Sequence, residues 1–166
     1  MNRIWMLSLL IVGIIIADQL SKGAVQSNFH IGESKVVIDG FFNFTYITNK
    51  GAAFGFLSDA SDSIRKPLFL FIPVIACIWL GWLIWASRKQ ALIAGLAYSL
   101  ILSGAIGNLI DRFSLGYVVD FLDFYYKANH FPAFNIADSA ITIAAFLLGI
   151  DFIQQIIKNR KPQEHI

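Results

Sequence analysis

Charge is what this chain has least of. Only 14% of its 166 residues are Asp, Glu, Lys or Arg, whereas a soluble domain carries about 25%. With 57% hydrophobic residues and a mean hydropathy of +0.63, it cannot clothe a globule in solvated side chains, and intrinsic disorder and a soluble nucleic-acid module are excluded. Net charge is only +2, which offers no field for a polyanion, so no nucleic-acid partner is expected. Cys77 stands alone, which rules out an intrachain disulfide and any disulfide-stapled scaffold. Histidine occurs only at His30, His130 and His165, with no His-Glu-x-x-His, so no metal site and no cofactor are expected.

Long apolar runs, by contrast, are abundant. A membrane helix needs about 20 apolar residues, and four stretches supply them, at about 4–25, 67–86, 91–110 and 136–157. The second and third contain no charge, while the fourth carries Asp138 and Asp151. Pro67 suits a first helical position, and Pro73 predicts a kink in the second span. The first stretch also resembles a cleaved signal peptide, with Arg3 ahead of 14 uncharged residues. Ile15 occupies the place where cleavage needs a small residue, so this helix is expected to be retained. The chain reads as one integral membrane domain over residues 1–166: an all-α polytopic protein with a small extracytoplasmic β-hairpin or sheet and an interfacial segment.

Four spans put both termini on one side. Segments 1–3, 87–90 and 158–166 hold six basic residues in 16 positions, and segments 26–66 and 111–133, with the end of the first span from residue 23, hold six spread over 67. The density, and the short basic loop in particular, places the termini in the cytoplasm. Trp79, Trp82 and Trp85 fit an interfacial belt at the inner end of the second span. On the other side, residues 35–38 and 41–48 flank Asp39-Gly40, a two-residue hairpin signal. Its aromatics alternate onto both faces, so it rests on the bilayer surface or on a hydrophobic ligand. Residues 111–133 mix Phe, Tyr and Val with three aspartates and read as a second interfacial segment.

Acidic groups gather at that outer end: Asp111, Asp120, Asp123 and Asp138, accompanied by Asn108, Asn135 and Arg112. A carboxylate in a spanning helix costs about 2.5–3.5 kcal/mol and usually meets partners or water. Two carboxyls brought together share one proton; the ionised one can activate water and the protonated one can polarise a carbonyl. Spacing alone does not select which two would pair. Simpler readings compete. Asn135 and Asp138 fit a helix N-cap with an acidic third position, and Asp18 and Lys22 fit a local i, i+4 ion pair. Ser103, Gly104, Gly107 and Asn108 fit close helix packing, Asp111-Arg112 an interfacial ion pair, and Cys77 a buried hydrophobe. Asp151, Gln154 and Gln155 reach headgroups or pack between helices. Serine–lysine and serine–histidine schemes find poor geometry at Ser21-Lys22 and at the loop histidines.

Five boxes occur in order: Asp18-Gln19-Leu20-Ser21-Lys22, then Asn49-Lys50-Gly51-Ala52-Ala53-Phe54, then residues 104–112 (GAIGNLIDR), then Val118-Val119-Asp120-Phe121-Leu122-Asp123, and Phe134-Asn135-Ile136-Ala137-Asp138. Together they closely resemble the bacterial lipoprotein signal peptidase family, signal peptidase II, over nearly the whole chain. The resemblance implies an intramembrane aspartic endopeptidase of the inner membrane, with its site toward the outer leaflet. It would cut prolipoproteins just before a lipobox cysteine that bears a diacylglyceryl group, as a monomer among membrane lipids, and be blocked by globomycin-type peptides. Carried over by position, Asp120 and Asp138 form the catalytic dyad, and Asn108, Arg112 and Asn135 line the site and orient substrate. Asp18, Lys22, Asn49, Gly104 and Asp111 support it. The hairpin and residues 51–54 would clamp the substrate from outside. The rival readings are a four-helix proton- or cation-coupled carrier using the outer aspartates and a non-enzymatic assembly subunit.

Overall fold

A computed structural model describes residues 2–51, 61, 63, 67–89 and 92–160, apart from the side chains at 89 and 160. Residues 52–54 of the expected outer clamp lie outside the described residues. Among the described residues four long helices stand out: α1 (Arg3–Asn28), α2 (Pro67–Ala86), α3 (Leu92–Ser114) and α4 (Ile136–Arg160). Each is long and apolar enough to cross a membrane. They match the four expected spans, with α3 running four residues beyond its expected end.

The faces of these helices follow from their residues. In α1, Trp5, Leu9, Val12, Ile16 and Leu20 point outward, while Leu7, Asp18, Lys22 and Val25 are buried, a helical repeat that separates a lipid stripe from a protein stripe. Asn2 caps its start by accepting from the Ile4 N–H. Helix α3 is the hub, buried at Ala94, Gly95, Ala97, Ser99, Ser103, Gly104 and Gly107, small residues that let neighbours come close. A Cβ on Gly104 would collide with the Ala137 carbonyl oxygen and stand 2.7 Å from Ile141 Cγ1, so α3 and α4 meet backbone to backbone there.

Helix α2 faces outward over most of its surface, including Trp79, Trp82 and Trp85. Its first turn, Pro67–Phe71, is π-helical, and the α-helical part begins at Ile72. Pro73 comes just after this turn; it has no N–H to donate to the preceding carbonyls, and the π-helical widening stands where the missing bond and the ring must be accommodated. A 3₁₀ turn, Ser87–Lys89, follows, and Arg3 donates to the Arg88 carbonyl at 3.3 Å.

At the other end stands a four-stranded antiparallel sheet in the order β1 (Ser34–Ile38), β2 (Phe42–Asn49), β3 (Val118–Tyr126), β4 (Asn129–His130). The hairpin forms as expected, with one correction. Ile38 pairs with Phe42, so the connection takes three residues rather than two, with Gly40 at φ +72°. Residues 111–133, expected as an interfacial segment, divide between a helix end and the sheet. Asp111 and Arg112 belong to the last turn of α3, and β3 is a central strand paired with β2. Gly116, at φ +80°, turns the chain from α3 into β3. Val25, Tyr46, Val119 and Phe121 form a buried cluster that fastens the end of α1 to the sheet.

Candidate active site

Helices α3 and α4, strand β3 and the end of α1 converge where the bundle meets the sheet. Asn135 caps α4: its Oδ1 accepts from the Asp138 N–H at 2.9 Å. The Ala137 N–H donates to Asp18 Oδ1 at 2.9 Å, across 119 residues. Two of the free N–H groups at this helix start are thereby satisfied, and Asp138 is held at the third helical position, where the helix dipole favours an anion.

Of the four outer carboxylates, two are already committed. Asp111 lies 2.9 Å from Lys22 Nζ and accepts from the Val119 N–H at 3.0 Å. Asp123 is 2.9 Å from His130 Nδ1 and accepts from Asn43 at 2.9 Å. Asp120 and Asp138 remain, and one amide touches both residues: Asn135 donates to Asp120 Oδ1 at 2.8 Å while its oxygen takes the Asp138 N–H. Asn49 donates to Asp120 Oδ2 at 3.1 Å, and Asn108 donates to Asp138 Oδ1 at 2.8 Å. Asp120 is buried and Asp138 half-buried. Burial pushes the Asp120 carboxyl up to about 7, and the adjacent Asp138 charge adds to the rise, against the two amide donors that pull it down. A buried carboxyl able to hold a proton beside a half-buried one is an arrangement suited to proton-sharing acid–base chemistry.

Behind this pair lies a buried ionic layer. Lys22 Nζ stands 2.8 Å from Asp18 Oδ2, 2.9 Å from Asp111 Oδ2 and 3.0 Å from Asn108 Oδ1, so each of its three N–H donors has an acceptor. Isolated, such charges would cost several kcal/mol each to bury; here two backbone N–H groups and Gln19 complete the shell. Gln19 Nε2 reaches Asp18 Oδ2, the Gly107 carbonyl and Asp111 Oδ1 at 3.2, 3.1 and 3.0 Å. Arg112 donates to the Gly51 carbonyl at 3.0 Å and to the Asn108 carbonyl at 3.4 Å. Gly51 in turn donates to Asn49 Oδ1 at 3.0 Å.

All the residues expected at the site therefore meet here, Gly104 through its contact with α4. The Asn135–Asp138 cap is present as well as the site. Asp18 and Lys22 do pair at i, i+4 as expected, but the pair is buried and extends to tertiary partners, Asp111 and Asn108 on α3 and the Ala137 N–H on α4. The expected Asp111–Arg112 ion pair is absent among the described contacts: adjacent helical residues face different ways, and each of these binds elsewhere. Sequence reasoning assigned no site role to Gln19, although it lies inside the first box, or to Gly107. A Cβ on Gly107 would stand 2.6 Å from Asp18 Oδ2.

The profile of the signal peptidase (SPase) II family matches residues 10–154. The chain belongs to the signal peptidase II family. It is 54% identical to a lipoprotein signal peptidase of Shewanella piezotolerans over 143 residues, covering 86% of this chain and 82% of that one. It is 44% identical to one from Desulforapulum autotrophicum, covering 90% of each. Among solved structures, it is similar to a bacterial membrane enzyme determined in meso at 2.3 Å, with TM-score 0.83 and 37% identity over 98% of this chain and 96% of that one. Family and fold together make this a multi-pass bacterial membrane peptidase.

Proposed function

We propose that this chain removes the signal peptide from prolipoproteins bearing a diacylglyceryl-modified cysteine, cutting just before that residue, as an aspartic endopeptidase. The observation that carries this reading is the commitment of Asp111 and Asp123 to other partners, which leaves Asp120 and Asp138 joined through Asn135. The family supports the substrate class, and the sheet-end position of the pair supports access to water.

In this scheme Asp120 and Asp138 share one proton. The ionised carboxylate takes a proton from water as its oxygen attacks the scissile carbonyl carbon, while the protonated one donates to the carbonyl oxygen. The C–N bond then breaks as the carboxyl that took the water proton passes it to the leaving nitrogen, and the other carboxylate recovers its proton from a hydroxyl of the tetrahedral intermediate. Asn108, Asn135 and Arg112 orient the peptide, with Asn49 and the layer of Asp18, Lys22, Gly104 and Asp111 in support. The chain works as a single membrane domain and a monomer, with its termini in the cytoplasm and the dyad toward the outer leaflet of the inner membrane.

The test is incubation of purified protein with a diacylglyceryl-modified prolipopeptide. Cleavage before the lipidated cysteine, blocked by globomycin, is expected. Asp120→Asn and Asp138→Asn should each abolish it while the protein stays folded in the membrane. Cleavage by Asp138→Asn at the normal rate would overturn the dyad assignment, and no cleavage by the unaltered protein would overturn the substrate class.

A further inference from the structure

We infer that Lys22 is a positioning residue that fixes the direction of the Asn108 amide, and through it the presentation of Asp138. This rests on the dyad reading above. Lys22 is 2% exposed, and its contacts are with Asp18, Asp111 and Asn108. An ammonium only donates. Asn108 must therefore turn its carbonyl oxygen toward Lys22 and its NH₂ toward Asp138 Oδ1, 2.8 Å away.

The same oxygen of Asn108 also accepts from Asn135 Nδ2 at 3.2 Å. Asn135 is keyed in the same direction by a second unambiguous donor, the Asp138 N–H, which claims its oxygen. Asn49 is keyed by a third, the Gly51 N–H. Every amide beside the dyad thus has one workable orientation, and for Asn108 the key is a side chain rather than backbone. Were Asn108 to turn over, its oxygen would face the Asp138 carboxylate and its NH₂ the Lys22 ammonium, two repulsive contacts in place of two attractive ones.

The carboxylates around Lys22 extend the same control to the backbone. Asp111 holds the Val119 N–H and Asp18 holds the Ala137 N–H. These are the residues immediately before Asp120 and Asp138. One buried cation thereby ties together the carboxylates that locate both halves of the dyad.

A pure counterion role makes a different prediction from a keying role, and charge-balanced variants separate them. Lys22→Met together with Asp111→Asn leaves the cluster with the same single negative charge and an acceptor for the Val119 N–H, but removes the Lys22 donor to Asn108 and leaves its oxygen only the longer 3.2 Å contact from Asn135. If Lys22 keys Asn108, the folded double variant should lose about tenfold or more in kcat, with KM held within about twofold, as expected when reacting groups are misplaced but binding contacts are not. Lys22→Gln with Asp111→Asn, which restores an uncharged N–H donor, should recover most of that loss. Thermal unfolding in detergent reports the folded fraction for each variant. Wild-type kcat in the Met variant, equal losses in both, or a change confined to KM would overturn the inference. If the Met variant does not fold, the Gln variant decides against Asp111→Asn alone: kcat within about threefold supports the inference, and a tenfold deficit overturns it. The wild-type cleavage control tests the peptidase reading separately.

Discussion

Raising the pH through neutrality should act on one carboxyl before the others. Asp120, 2% exposed, has its proton affinity raised to about 7 by burial and then by the Asp138 charge. A carboxyl in an unfolded chain releases its proton near 4. Between those two values the folded state holds a proton that the unfolded state has released, so stability falls as pH rises from about 4 to about 7 and levels off above. The interval of about 3 units at 1.36 kcal/mol each amounts to about 4 kcal/mol. Thermal unfolding in detergent at pH 5 and pH 8 reads this directly. The wild type should lose several degrees more across that range than Asp120→Asn, whose amide does not titrate. Cleavage rates carry the same signature, because the pair needs one proton: kcat/KM should decline above about 7, approaching tenfold per unit, as a property of the coupled pair. Equal pH dependence of stability in wild type and Asp120→Asn, or a rate flat to pH 9, would refute the reasoning.

Three substitutions test the remaining geometry. Gly104→Ala should destabilise the protein by about 1–3 kcal/mol by overpacking, since its Cβ meets the Ala137 carbonyl, while Gly81→Ala, whose Cβ meets nothing within 4 Å, should be neutral or gain a fraction of about 1 kcal/mol; paired melting curves check both. Asn135→Ser keeps a capping oxygen for α4 but removes the buried amide that donates to Asp120 and to the Val119 carbonyl, so stability should fall by about 1–3 kcal/mol while cleavage by the folded protein falls at least about tenfold. Equal retention of activity and stability would show that the Asn135 amide does not hold the dyad.

The spans were legible because a run of uncharged residues long enough to cross a bilayer has few other uses. The hairpin was legible from Asp39-Gly40 between β-branched and aromatic runs, although the three-residue turn depends on a register set by β3, far away in sequence. Strand β3 itself was hidden. Val118–Tyr126 is apolar at nearly every position, with acids at 120 and 123, so neither face shows the alternation that marks a half-buried strand. The site residues are named by resemblance, not by pattern. Local spacing does give the Asp18–Lys22 pair and the Asn135–Asp138 cap, but not the partners that helix packing supplies: Arg112 reaches Gly51 rather than Asp111, and Lys22 also reaches Asn108 across 86 residues.

That long reach explains why so few charges suffice. Apolar surfaces alone specify helix packing weakly in a bilayer, since lipid is as apolar as leucine. Here the rotation of α3 is fixed against α4 by the backbone contact at Gly104, and against α1 by Gly107, where no side chain fits beside Asp18. Only with that rotation in place does Asp18 meet the Ala137 N–H and Lys22 meet Asn108. The bonds that hold the dyad are therefore the same ones that penalise a mispacked bundle, because slipping α1, α3 or α4 leaves a buried charge or N–H without a partner. Scarce charge at this end of the protein serves packing specificity and chemistry with one set of residues, so substitutions in the ionic layer should disturb both, and only charge-balanced pairs can tell the two roles apart.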